Sequence, residues 1–503
     1  MRKLAIGAAV ALTASLGTIP QAQAAAKPDL AKLVTLKDVR THLDALQKIA
    51  TYNGGTRAAG TPGYEISTKY VVSQLKKAGY KPTVQPFDFD FFRQQGPGAF
   101  DQVAPEKKAY TVDTDYNTME YSAGGEVTAN AVAVDPPAAG ETGTSGCEAE
   151  DFAGFPKGAI ALVQRGNCNF SVKTDNAEAA GAVGVVIYNR PDVEGPVTGA
   201  TIGKPTKVPT ISTPNALGRQ LVAASQAGTL TLHVKTETIN ERRKTQNVIA
   251  ETKAGRADNV VLLGAHLDSV PAGPGINDNG TGSASILAIA QKIGKLGAKN
   301  IKNKVRFAWW GAEEIDLVGS TYYVTSLTPA QKAKIALNLN FDMLGSPNGI
   351  RGVYDGDDSS GAGTNPPAGS GAIEKVFKDY YAARKLPTAE SEFNGRSDYG
   401  PFIENGIPAG GIDTGAEGIK TAEEAALFGG TAGLAYDPCY HQACDTVKNV
   451  DYKLLDTNVD GIAFATQTFA KSTLPVNGEA LRAAAAARAA KRQSPYQGGH
   501  LLR

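Results

Sequence analysis

Five short segments carry residue types that can grip a metal ion or move a proton. His266 and Asp268 close GAHLDS, Asp278 lies in NDNG, and Glu313 and Glu314 end WWGAEE. Asp342 follows the apolar run from Ile335 to Phe341, and His441 lies in DPCYHQAC. In open α/β sheets, ligands bind beyond the carboxyl ends of strands, and most of these residues follow a strand-like run.

Each segment also has a plainer reading. Residues i and i+2 of a strand share a side, so His266 and Asp268 can be simply a hydrogen-bonded pair; otherwise the carboxylate orients a ligating imidazole. Asp278 alone reads as a helix cap. Asn279–Gly280–Thr281 matches a glycosylation sequon, and its closeness to the presumed pocket makes that match accidental. Adjacent glutamates point apart, so one can bind metal while the other handles protons; on a loop they are otherwise unremarkable. Asp342 can be structural, and Trp309 and Trp310 read as packing residues. Of five histidines, the remaining three are His42, His233 and His500. Taken together the donors are more specific. Zinc takes imidazole nitrogen and carboxylate oxygen. A two-ion site needs a bridging carboxylate with terminal ligands on each side. His266, Asp278, Glu314, Asp342 and His441 supply that set and leave Glu313 as a base.

The elements that must position these residues are legible from periodicity. Lys37 to Ala50 and Glu65 to Ala78 repeat apolar residues at helical spacing, with the turn-rich stretch Asn53 to Pro62 between them. Lys81 to Phe92 alternates like a strand. From about Asp113 to Val234 the texture shifts to short strands among Gly and Pro. There, Gly158 to Gln164 and Gly184 to Tyr188 read as strands and Val172 to Ala180 as a helix. One continuous sheet is an option here, but the change in composition favours an inserted domain. Beyond Gln246, buried strands at Asn259 to Ala265, Lys304 to Trp310, Ile335 to Leu339 and Ala409 to Ile412 alternate with helices such as Ser283 to Leu296. That alternation predicts an α/β fold, a mostly parallel mixed sheet sandwiched by helices.

Composition bounds the rest. A chain of 503 residues predicts two or three folded units. Fifty-one basic and fifty acidic residues leave no field for nucleic acid or an anionic membrane. Arg2, Lys3, an apolar run from Leu4 to Ile19 and Ala22–Gln23–Ala24 read as a cleavable signal peptide over 1–24, which places the product outside the cell. No other stretch reaches the roughly 18 apolar residues of a membrane helix. Four cysteines in an exported chain point to two disulfides. Pairing Cys147 with Cys168 and Cys439 with Cys444 keeps each bridge within one local segment.

The joint set, HLDS with a twelve-residue step to NDNG, the Glu pair, 28 residues from Glu314 to Asp342, and the closing Tyr–His, resembles the co-catalytic di-zinc peptidases of clan MH, peptidase family 28. DPCYHQACDT is similar to the secreted bacterial leucine-type aminopeptidases. KGAIALVQRGNCNF followed by AGAVGVVIYN resembles a protease-associated (PA) domain. The resemblance implies a secreted aminopeptidase with two zinc ions, acting on peptides with a free N-terminus; it leaves a structural Ca2+ open. It implies Asp278 as the bridge, His266 and Asp342 on one zinc, and Glu314 and His441 on the other. Glu313 would be general base and acid, Asp268 a support for His266, and Tyr440 an oxyanion donor, with Arg396 and Asp398 lining the substrate pocket. The domains implied are a peptidase part at 27–112, the PA insert at 113–240, the catalytic part at 241–475 and an Ala/Arg-rich extension at 476–503. A glutamate-carboxypeptidase type shares the ligands and insert but needs a cationic pocket; a glutaminyl-cyclase type works with one zinc.

Overall fold

The computed structural model describes residues 28–197, 201–228 and 230–478. The signal peptide expected at 1–24 and almost all of the 476–503 extension lie outside them. Among the described residues, no helix is long and apolar enough to cross a membrane.

A mixed 14-stranded sheet runs through the molecule. At its catalytic end the parallel strands Arg256–His266, Asn303–Trp310, Ile335–Phe341 and Ala409–Asp413 form the centre. Successive residues of a strand face opposite sides, and the packing follows that rule. Val261, Leu263, Ala265, Phe307 and Trp309 join the core under helices Leu36–Tyr52, Thr281–Ile293 and Tyr452–Lys471. Leu262, Ala308 and Trp310 face Tyr323 and Phe402 of helices Val318–Ser326 and Gly400–Glu404. Both tryptophans are fully buried, as packing residues must be.

Helix ends follow local chemistry. Leu36–Tyr52 starts one residue before its expected span because Thr35 and Asp38 form a reciprocal capping box. Pro62 occupies the first turn of Pro62–Lys77, where its missing N–H costs nothing.

The largest departure from expectation is in the strands. Lys81 to Phe92 extends to a 22-residue strand, Thr83–Ala104, paired antiparallel along its length with the 21-residue Thr231–Glu251. Thr231–Glu251 also hydrogen-bonds Asn303–Trp310 on the catalytic side and Gly125–Ala133 on the insert side. The insert therefore keeps its own cores, around Ile160, Leu162, Val186 and Ile211 and around Val163, Val185 and Ile187, yet its sheet is continuous with the catalytic one. Both disulfides join the expected neighbours, Cys147–Cys168 and Cys439–Cys444.

Candidate metal centre

The ends of the parallel strands bring the predicted polar residues together. His266 terminates Arg256–His266, and Asp342 follows Ile335–Phe341 directly. Glu313 and Glu314 lie three and four residues past Trp310, the last residue of Asn303–Trp310. Asp278 lies in the irregular turn Ile276–Gly280, which leads into helix Thr281–Ile293. That helix has no side-chain cap from Gly280, and it is Asn279 that accepts from the Gly282 N–H at 2.9 Å. Asp278 is thus free of the capping role. Asn279 is fully buried and donates to the Phe341 carbonyl, so the sequon is sterically closed.

Two half-sites share Asp278. Its Oδ1 is 3.2 Å from His266 Nε2, and its Oδ2 is 3.3 Å from His441 Nε2. His266 Nε2 is also 3.3 Å from Asp342 Oδ1, and His441 Nε2 is 3.0 Å from Glu314 Oε2. Glu313 Oε2 reaches within 3.6 Å of His266 Nε2. Donor atoms of His266, Asp278 and Glu314 converge within 4.8 Å, as do those of His266, Glu313 and Asp342. His266 Nε2, Glu314 Oε1 and Asp342 Oδ1 are buried without a hydrogen-bond partner. Orphaned buried donors and acceptors are costly, and these belong to residues whose ligand atoms converge within 4.8 Å.

The electrostatics fit the same picture. Burial opposes charge throughout, yet the Glu313 and Asp342 carboxylates hold the His266 imidazole well above its usual range. Against burial, Asp278 and Glu314 push His441 up to about 10. The two histidines hold Asp278 well below the carboxylate range, although burial acts to raise it. Burial lifts Glu313 well above its ordinary value; burial together with Asp278 lifts Glu314 to about 7. Four carboxylates crowded in one buried site repel one another; the raised values of Glu313 and Glu314 and the two charged imidazoles relieve that repulsion here, and cations bound among them would do the same.

The remaining predicted residues have distinct places. Asp268 Oδ1 accepts from the Glu313 N–H at 3.2 Å and stands 3.6 Å from His266 Nδ1, so it touches both functional segments. Tyr440 stacks on the His441 ring at 3.8 Å between centroids, and Arg396 donates to its hydroxyl at 3.1 Å. Arg396 also donates to Glu417 at 2.6 Å and lines the cavity. Asp398 was expected beside it on the cavity wall, but it is fully buried; burial and nearby Asp342 raise its pKa to about 8. The Cys439–Cys444 bridge closes the loop carrying Tyr440 and His441.

Sequence reasoning missed three supports. Asp445 accepts from the N–H groups of Asn277 at 2.8 Å and Asp278 at 3.0 Å. Ser397 donates to Asp342 Oδ2 at 2.6 Å. Arg57, from the turn-rich stretch, is fully buried beneath the loop between His266 and Asp278. Asp445 directly follows Cys444 and Ser397 lies between Arg396 and Asp398, so both sit in segments already singled out, but each acts across a long chain separation that local spacing does not show; Arg57 had no motif signal at all.

The centre opens into a cavity of about 1160 Å³. One wall comes from the insert, including Asp113, Glu120 and Val197. Its arginines, Arg242 and Arg396, are each paired with a carboxylate, Asp90 and Glu417.

Comparison with known proteins agrees with this architecture. The model of Peptidase family M28 matches residues 247–466, and that of the PA domain matches residues 127–221. An aminopeptidase of Pseudomonas aeruginosa is 47% identical over 455 residues, covering 90% of this chain and 84% of its own. The probable leucine aminopeptidase 2 of Aspergillus fumigatus is 40% identical over 451 residues, covering 88% and 85%. The solved aminopeptidase from Aneurinibacillus sp. strain AM-1 superposes with a TM-score of 0.65 at 26% identity, covering 87% of this chain and 94% of its own. With a relative this similar along nearly its whole length, the chain belongs to peptidase family M28.

Proposed function

We propose that the chain is a secreted two-zinc aminopeptidase that removes N-terminal residues from peptides. The observation that carries this reading is Asp278 set between two histidines, each with a second carboxylate beside it. The donor set fits zinc: two imidazoles and three carboxylates, with unpartnered buried atoms aimed at the shared space. His266, Asp278 and Asp342 would hold one ion; His441, Asp278 and Glu314 the other. Bound there, the ions would supply Lewis acidity to the scissile carbonyl and to the attacking water.

The chain's own groups do the rest. Glu313, with its pKa raised by burial, takes the proton from water and returns it to the leaving amine. The Tyr440 hydroxyl, steadied by Arg396, donates to the developing oxyanion. A substrate ammonium terminus enters a cavity whose wall carries Asp113, Glu120, Glu392 and Asp413. The aminopeptidase names of the relatives agree with that polarity. A carboxypeptidase would need free cationic groups, whereas the two cavity arginines are already paired. By this reading the domain boundaries are 27–112, 113–240 and 241–475.

The test is terminal-residue release from unblocked and N-acetylated peptides, with and without a chelator. Release from unblocked peptides alone, lost on chelation and restored by zinc, is expected. Equal cleavage of the acetylated peptide, or chelator-resistant activity, overturns the reading.

A further inference from the structure

We propose that Arg57 is a resident counter-charge behind the acidic centre, a fixed buried cation that adds to the two histidines in front of it and lets the carboxylates fold together before any metal arrives. The proposal rests on the metal-centre reading above. Four carboxylates face the site itself, and Asp268, Asp398 and Asp445 are buried close behind them. Burying so many acids is unfavourable without nearby positive charge; His266 and His441 supply it on the cavity side, and none of the acids behind them has a histidine of its own beyond the 3.6 Å approach of Asp268 to His266. Among the described residues, Arg57 is the arginine buried to 0% exposure, and it lies on this side of the centre.

Its placement is fixed by the backbone around the site. Nε donates to the Pro274 carbonyl at 2.8 Å, and the two terminal nitrogens donate to the carbonyls of Leu267 and Gly275. Leu267 separates His266 from Asp268, and Gly275 begins the turn that presents Asp278. The Arg57 N–H donates to Ser269 Oγ at 2.9 Å, which ties the arginine's own backbone to the same loop. Gly275 has φ +58°, and a side chain there would meet the Asp278 carbonyl at 2.3 Å, so only glycine fits this close approach.

All three guanidinium bonds go to neutral carbonyls, so the charge is not consumed by a single ion pair. It acts across space on Asp268, Asp445, Asp278 and Glu314. Lysine could deliver similar charge but not the planar fork that reaches three carbonyls. The two contributions, charge and bracing, are therefore separable by substitution.

The experiment compares the full-length wild type with Arg57→Gln and Arg57→Lys, each metal-stripped and zinc-loaded, by thermal unfolding and by zinc competition against a chromophoric chelator. Arg57→Gln should lower the metal-free Tm more than the zinc-loaded Tm, widening the zinc-induced rise by about 2 °C or more. Arg57→Lys should recover most of the metal-free loss despite losing the fork. Equal falls in both forms, or a lysine variant as weak as the glutamine variant, reduce Arg57 to a loop brace and overturn the proposal. If Arg57→Gln alone does not fold, adding Asp445→Asn to it should restore folding by removing one acid; failure to do so also overturns it. A wild type that shows no zinc-induced rise removes the metal-centre reading itself, a result distinct from either arginine outcome.

Discussion

Asp278 presents one carboxylate oxygen to each histidine, Oδ1 at 3.2 Å from His266 and Oδ2 at 3.3 Å from His441. Two histidines 175 positions apart in sequence are thereby related through a single side chain. His266 sits on a buried strand end and is 1% exposed, whereas His441 is on a disulfide-closed loop and is 42% exposed. The half-sites differ in exposure, and the shared carboxylate joins them.

Asp278→Asn therefore tests the coupling directly. The amide is neutral and keeps one acceptor oxygen, so it cannot serve both sides. Zinc should fall from the proposed two ions per chain to one or fewer, measured by mass spectrometry of the purified protein. Turnover should drop at least about 100-fold, the upper end of the loss found when even an outer-shell partner is removed. Two tightly held ions in this variant would show that the bridge is dispensable.

Glu313→Gln separates proton transfer from metal binding. The side chain keeps its volume but can no longer accept a proton from water. We expect kcat to fall by about 10²–10⁴ with zinc content and KM little changed. A proportional loss of zinc would instead make Glu313 a ligand, an outcome its 3.6 Å approach to His266 makes worth measuring.

The division between what was and was not legible in the sequence follows from range. His266, Glu313, Glu314 and Asp342 were legible because a buried apolar strand announces its own end, and the residues just beyond it are forced into one layer. His441 was legible by its type and its flanking cysteines. Asp278 could be told from a helix cap only once its partners were known. Arg57 carried no such mark, its partner lying 210 positions away, and Asp445, although inside DPCYHQACDT, acts on a turn 167 positions away that the motif does not reveal. The same holds for Thr231–Glu251: its polar alternation names no partner, and only pairing with Thr83–Ala104 makes 21 residues a strand. For Asp398 the complementary reason holds: NGRSDYGPF shows which residues are near the site but not which of them is buried, and Asp398 is fully buried.

Asp445→Ala probes how far the centre depends on backbone held from behind. The substitution strips acceptors from two buried N–H groups, those of Asn277 and Asp278. Stability should fall by about 1–3 kcal/mol in denaturant titration. Zinc affinity should fall about 10–100-fold, as for other outer-shell partners of a ligand. Asp445→Asn, with one carbonyl oxygen retained, should lie between the two. Wild-type zinc affinity in the alanine variant would show that the turn around Asp278 holds itself.

A pH-dependent contribution to stability should arise far from the centre, at His233. Its Nδ1 is 2.7 Å from Asp101 and its Nε2 is 2.9 Å from Glu126, one acid from each strand flanking Thr231–Glu251. Both ring nitrogens can donate only when the imidazole is charged. Burial works against that charge, but the two hydrogen bonds prevail and the folded pKa lies above 6.5. Since the folded value exceeds the unfolded one, the stabilisation is fully present below about pH 6.5 and fades as pH rises through the folded pKa. His233→Gln should therefore lower Tm more at pH 5.5 than at pH 8.5, while a histidine NMR titration places the wild-type His233 pKa above 6.5. Equal Tm losses at the two pH values, with an unshifted titration, would mean that the strands are joined there by neutral hydrogen bonds alone.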